Sequence, residues 1–150
     1  MLTMSNNDLI AGMFNYGQSQ ARLLRENAPD MTDAEIMEEE SYIPEWRAGL
    51  QKAGAPVRRK DLDQNYRTLQ AHDSSANPEW TPENSPALFG LMHSKNPNNA
   101  KAWVAPLGTS GMYYLDECYK DADGNVWQQI FDGENIYDAA TMPDRWVKVG

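Results

Sequence analysis

The spacing of apolar positions changes along the chain, and each change marks an element. From Ser5 to Asn27, the residues Ile10, Met13, Phe14, Gly17, Ala21 and Leu24 recur at intervals of three and four, the single stripe of an amphipathic helix. Ser5 or Asn6 can cap it, Asp8 sits near the positive end of the helix dipole, and Ala28-Pro29 closes it. Thr32-Asp33-Ala34-Glu35 has the form of a capping box, so a second, short helix is expected there. It should stop before Ile43-Pro44, because the residue before a proline avoids the α region. Beyond that point the period becomes two: Tyr66, Thr68 and Gln70 alternate with Arg67, Leu69 and Ala71, as in a strand. The strand runs into a loop carrying Pro78, Pro82 and Pro86, punctuated by Trp80 and closed by Leu88-Phe89. Proline fixes φ and removes a backbone donor, so this loop is stiff and presents its large ring.

One apolar stripe cannot be buried by one helix. Two destinations stand open for it: packing on the following domain, or self-association and docking into a larger assembly through Ile10, Met13, Phe14 and Leu24. Glu38-Glu39-Glu40 reads most simply as the solvated end of the second helix. Consecutive carboxylates on a helix point to different faces, which makes a metal site the weaker reading.

The same punctuation then returns. Trp80 precedes Pro86 by six positions, and Tyr137 precedes Pro143 by six. Trp46 corresponds to Trp103, Tyr66 to Trp127, and Phe89 to Trp146. Val57 corresponds to Cys118, each nine residues before its aromatic. A repeat of this length changes the expected fold. Each copy reads as a lead-in Trp, a short strand, a turn, a second strand, a Pro-rich loop and a closing aromatic strand. In the second copy, Asp121-Ala122-Asp123-Gly124-Asn125 is the hairpin turn. Its Asp-x-Asp-Gly run resembles part of a calcium loop but lacks the Glu that such a loop requires. The expected class is α+β: a helical arm at residues 1–31, a first small all-β module at 32–94, a linker at 95–100 and a second module at 101–150.

Composition narrows the chemistry. Trp and Tyr supply twelve of the fifteen aromatics, and both suit surfaces that are at once apolar and wet. A formal net charge of −9 opposes nucleic-acid binding and docking on an anionic membrane. Cys118 alone cannot form an internal disulfide and reads as a buried, inert thiol. No apolar run reaches transmembrane length, and the first residues lack the pattern of a signal peptide, so a protein made in a cytoplasm is expected.

Trp46-Arg47-Ala48-Gly49, the strand ending at Tyr66, Leu69-Gln70-Ala71-His72, Trp80-Thr81-Pro82 and Pro86-Ala87-Leu88-Phe89 together carry a resemblance. They are similar to the small carbohydrate-binding modules of bacterial chitinases, and more closely to the version found in structural proteins of tailed bacteriophages. The likeness covers residues 32–92 well and 101–150 more loosely. Gly54-Ala55-Pro56-Val57 and Asp73 depart from the family pattern, and the second copy lacks the His and has Tyr137 for the loop Trp. The resemblance implies a virion protein that contacts viral capsid or tail proteins, assembles as a homo-oligomer (a trimer first among the candidates) and takes a glycan ligand.

A sugar ring offers an apolar face and a rim of hydroxyls, so its site needs a flat exposed aromatic with polar neighbours. Trp80 with His72, Asn77 and Thr81 meets that need, and Tyr137 with Asn135, Asp138 and Gln129 is a poorer version. Trp80 packing over the strand beside Tyr66, merely pinning the loop, stands as the alternative. His72 and His93 have no Cys partners for zinc, and no phosphate loop or nucleophilic triad occurs. The chain is therefore read as non-enzymatic, with no cofactor.

Overall fold

The computed structural model describes residues 6–107 and 110–150, with side chains from Tyr16 onward. Over the described residues the architecture is α+β: a long helix leads into short strands arranged as three small sheets. Helix α1 (Asn6–Asn27) ends in a 3-10 turn at Ala28–Asp30, where Pro29 supplies no donor. Helix α2 (Asp33–Met37) opens on the expected capping box: Glu35 N–H donates to the Thr32 hydroxyl and Thr32 N–H to the Glu35 carboxylate. A second 3-10 turn, Glu40–Tyr42, brings the chain to Pro44.

The strands are β1 (Leu50–Gln51), β2 (Pro56–Arg59), β3 (Gln64–Thr68), β4 (His72–Asp73), β5 (Phe89–Leu91), β6 (Lys101–Ala102), β7 (Cys118–Lys120), β8 (Val126–Gln129) and β9 (Trp146–Lys148). The first main sheet is an antiparallel meander with β3 between β2 and β5. The second repeats that order with β8 between β7 and β9, and adds β6 parallel to β7 at its edge. Strands β1 and β4 form a separate ribbon.

Backbone pairing fixes which residues of the two sheets correspond. Tyr66 lies opposite Val57 and Leu91, while Trp127 lies opposite Tyr119 and Lys148. Trp46 N–H donates to the Arg58 carbonyl at 2.9 Å, and Trp103 N–H to the Lys120 carbonyl at 3.1 Å. The counterpart of Val57 is therefore Tyr119, one residue beyond the Cys118 that counting from the aromatic selects. The second hairpin is one residue shorter, and a one-residue slip moves a side chain to the opposite face. Cys118 is buried on that other face with Ala100 and Val126. Burial pushes its thiol up to about 11, which leaves it an unreactive thiol near neutrality.

The first sheet buries Val57, Tyr66 and Phe89, with Trp46 half-buried against them. The second buries Tyr113, Tyr119 and Trp146, with Trp103 and Trp127 half-buried against them. In the arm, Leu24 packs with Ala28, Ile36, Met37 and Ile43 onto Met92, just past β5. So the end of the stripe packs on the following domain; the side chains of Ile10, Met13 and Phe14 lie outside the described residues. Arg67 of β3 fastens this root: its guanidinium donates to the carbonyls of Ala28 and Met31 and to the Asp33 carboxylate, at 2.6, 2.8 and 2.8 Å.

Residues between the sheets are also tied down. Pro97–Asn99 forms a 3-10 turn that Asn96 caps. Cys118 N–H donates to Ser94, Gln64 donates to Ala102, and the Asn99 side chain donates to Met37. Lys101 of β6 pairs with Glu40 and Asp63, both of which also pair with Arg58 of β2. Burial alone would raise the Glu40 pKa, but hydrogen bonds from Lys101 and Asn65 and the charges of Lys101 and Arg58 outweigh it and hold Glu40 low.

Candidate ligand-binding surface

The Trp80 loop is built from stacked turns. Asn77 N–H donates to the Ser74 carbonyl, Trp80 N–H to Asn77, and Asn84 N–H to Thr81. Ser74, fully buried, anchors the loop to the lead-in strand through both its N–H and its hydroxyl on Gly49. Proline at positions 78, 82 and 86 fixes three further φ angles between these turns. The loop is thus held without relying on the Trp80 ring, which is 39% exposed and lies outside the buried cluster around Tyr66.

Its expected companions are placed differently from one another. Asn77 is half-buried and serves the turn through its backbone. Thr81, also half-buried, leads the 3-10 turn Pro82–Asn84. His72 lies on β4 with its ring edge-on to Phe89 at 5.3 Å. Its Nδ1 is 2.8 Å from the Gln70 carbonyl, which only accepts, so Nδ1 carries the proton. Its Nε2 is buried and has no hydrogen-bond partner among the described residues. His72 thus leaves one ring nitrogen unpartnered among the described residues, while Trp80 offers the exposed ring.

In the second sheet the corresponding loop is wired internally. Tyr137 is 42% exposed, but Asn135 and Gln129 are fully buried. Asn135 Oδ1 accepts the N–H of Tyr137 and a guanidinium N–H of Arg145. Arg145 lies over the Phe131 ring at 4.0 Å and within 5.9 Å of the Tyr137 ring. Gln129 donates to the carbonyls of Phe131 and Gly133. These two polar side chains shape the loop and face no solvent; Asp138 is half-buried and caps Thr141. The Phe131–Arg145–Tyr137 stack was not legible in sequence, because Arg145 reaches Phe131 only across the β8–β9 pair.

No protein-family model matches this chain, and no curated protein matches it in sequence. Its chemistry rests on the side chains themselves. Among the described residues, no group of three or more His, Cys, Asp or Glu is placed to hold a metal ion, and no helix is long and apolar enough to cross a membrane. Glu117 is the most perturbed carboxyl, pushed up to about 7 by burial against the opposing hydrogen bond from Tyr114 N–H. The buried His93, whose ring stacks 3.6 Å from Tyr113, is held neutral, its pKa lowered to about 4 by burial.

A third arrangement ties the first sheet to its loop. Arg59 of β2 donates through Nε and NH2 to the two Glu83 oxygens, each at 2.9 Å, and its guanidinium lies 5.7 Å from the Trp46 ring. This bidentate pair joins the hairpin, the lead-in Trp and the turn that follows Trp80.

Proposed function

We propose that the chain is a non-enzymatic bacteriophage virion accessory protein, anchored by its N-terminal arm and displaying tandem carbohydrate-binding-like modules to glycans of cell surfaces or surroundings. The observation that carries this reading is the exposed Trp80 ring on a loop whose backbone is fixed without it. A flat ring held rigidly loses little entropy when it stacks on a pyranose face. The repeated meander, in matched register, supports the tandem reading. Sugar contact is assigned to the first module: in the second, the polar side chains that would rim Tyr137 face inward. Single sites of this kind are weak, and many copies on one particle supply avidity.

A second reading is a purely structural decoration protein of capsid or tail, whose modules contact other virion proteins. The large exposed apolar side chains Leu69, Ile130 and Ile136 favour it. A binding screen against chitin, bacterial cell-wall material and glycan arrays separates the two. The intact protein is expected to bind, and a folded Trp80→Ala variant to lose at least about tenfold in affinity, because stacking on one ring carries most of a small site. A folded, multivalent sample that binds no glycan supports the structural reading.

A further inference from the structure

The matched register of the two sheets exposes a difference at one place. In the first sheet, the space between the lead-in Trp46, the central Tyr66 and the loop is filled by the Arg59–Glu83 pair. In the second sheet the corresponding positions are Trp103, Trp127 and, for the pair itself, Asp121 and Ala140. Neither replacement can fill the space. Asp121 is turned back into its own hairpin, accepting the N–H groups of Asp123 and Asn125 and the Trp127 indole N–H at 2.9 Å. Ala140 projects only a methyl group. An open cleft of about 640 Å³ remains, with Trp103, Tyr119 and Trp127 among its walls. Three carboxylates, Asp121, Asp123 and Asp138, also line it, against the single ammonium of Lys120.

Aromatic walls with an excess of carboxylates attract an organic cation, since ring faces and carboxylates favour the same charge. The first sheet shows which cation the geometry accommodates. We propose that the cleft of the second sheet binds a guanidinium group from outside the chain, an arginine side chain of another polypeptide, in the place that Arg59 occupies in the first sheet. A guanidinium suits the site better than an ammonium because its plane stacks on indole while its edge donates to a carboxylate. Asp138 is the acceptor in reach: it is half-buried, and among the described residues its Oδ1 accepts only the Thr141 N–H, at 2.9 Å.

The test is a titration of the intact protein with the peptide acetyl-Gly-Arg-Gly-amide at low salt, following the indole signals of Trp103 and Trp127 by NMR. Saturable shifts of both are expected, with the same peptide carrying citrulline, a neutral isostere, giving none. Asp138→Asn is expected to weaken binding roughly threefold to tenfold, as loss of one charged partner does. Ala140→Glu restores the acid that Glu83 provides in the first sheet, and is expected to tighten binding about tenfold. That gain cannot come from misfolding. Trp80→Ala should leave the titration unchanged, so this result is independent of glycan binding. Equal responses to arginine, lysine and citrulline peptides, or no shift in a folded protein, overturn the assignment.

Discussion

The first sheet fills its surroundings with charge and the second with rings. Around β2 and β3, Arg58, Arg59 and Arg67 each reach carboxylates, Arg59 on the face that carries Val57 and Tyr66, Arg58 and Arg67 on the opposite face toward the arm. Around β7 and β8, Trp103, Tyr113, Tyr119 and Trp146 meet at centroid distances of 4.8 to 6.4 Å, mostly edge to face. Sheets this small bury little area, so each must draw stability from something denser than aliphatic packing. The comparison shows two solutions on one backbone. Guanidinium groups lend their apolar stems and tie distant segments together, whereas stacked rings concentrate the contact in one place.

Breaking each solution at its centre should have the largest effect. Trp146→Ala removes the ring that meets Trp103, Tyr113 and Tyr119, and is expected to cost about 3–5 kcal/mol in chemical denaturation. Arg67→Ala leaves Asp33 and the carbonyls of Ala28, Met31 and Gly54 without this donor, and a loss of about 3 kcal/mol is expected. Its signature differs from that of Trp146→Ala. Hydrogen exchange should rise first at residues 28–37, where the arm meets the first sheet, while the second sheet stays protected.

The pH dependence sharpens the contrast. Glu117, beside the ring cluster, has its pKa raised from 4.5 to about 7, so the folded chain holds a proton that the unfolded chain has released. Stability therefore falls as pH rises through that window. Glu117→Gln should match the wild type below pH 4.5 and exceed it above about pH 7, with the gain developing between. His93 works in the opposite sense: lowered from 6.5 to about 4, it withdraws stability as pH falls between those values. In the first sheet, Glu40 and Glu83 are held low despite burial, so their contribution is lost only on acidification below the ordinary carboxylate range. Thermal melts of wild type and Glu117→Gln from pH 3 to 9 check these signs. The smallest effect is expected at Trp80, where Trp80→Ala should change stability by less than about 1 kcal/mol because the loop is held by its own turns.

Much of this was legible in the residues. The helix of the arm, the capping box at Thr32 and Glu35, the break at Pro44 and the hairpin turn at Asp121 all follow from local chemistry. The closing aromatics were legible too: Phe89 and Trp146, which follow prolines at matching spacing, each open the last strand of a three-stranded meander. Cys118 shows where counting fails, since a hairpin one residue shorter changes the face while the landmarks stay aligned. Asn135 shows the same limit for a site. Its neighbours in sequence suggest a polar rim, but Arg145, ten residues on, draws its carbonyl oxygen inward.

The sequence by itself determined the helices, the hairpin turn and the aromatics that close each sheet, because propensity, capping and turn chemistry act over a few residues. The central rings Tyr113 and Tyr119 emerge only in the fold. Only the tertiary structure decided which side chains meet across the strands: that Arg59 fills one sheet's cleft while Asp121 leaves the other open, and that Lys101 and Arg58 share Glu40 and Asp63 between the sheets. Arg59 and Glu83, Arg58 and Glu40, and Lys101 and its two carboxylates lie far apart along the chain. Pairing register and burial select them, and neither is written in any local pattern.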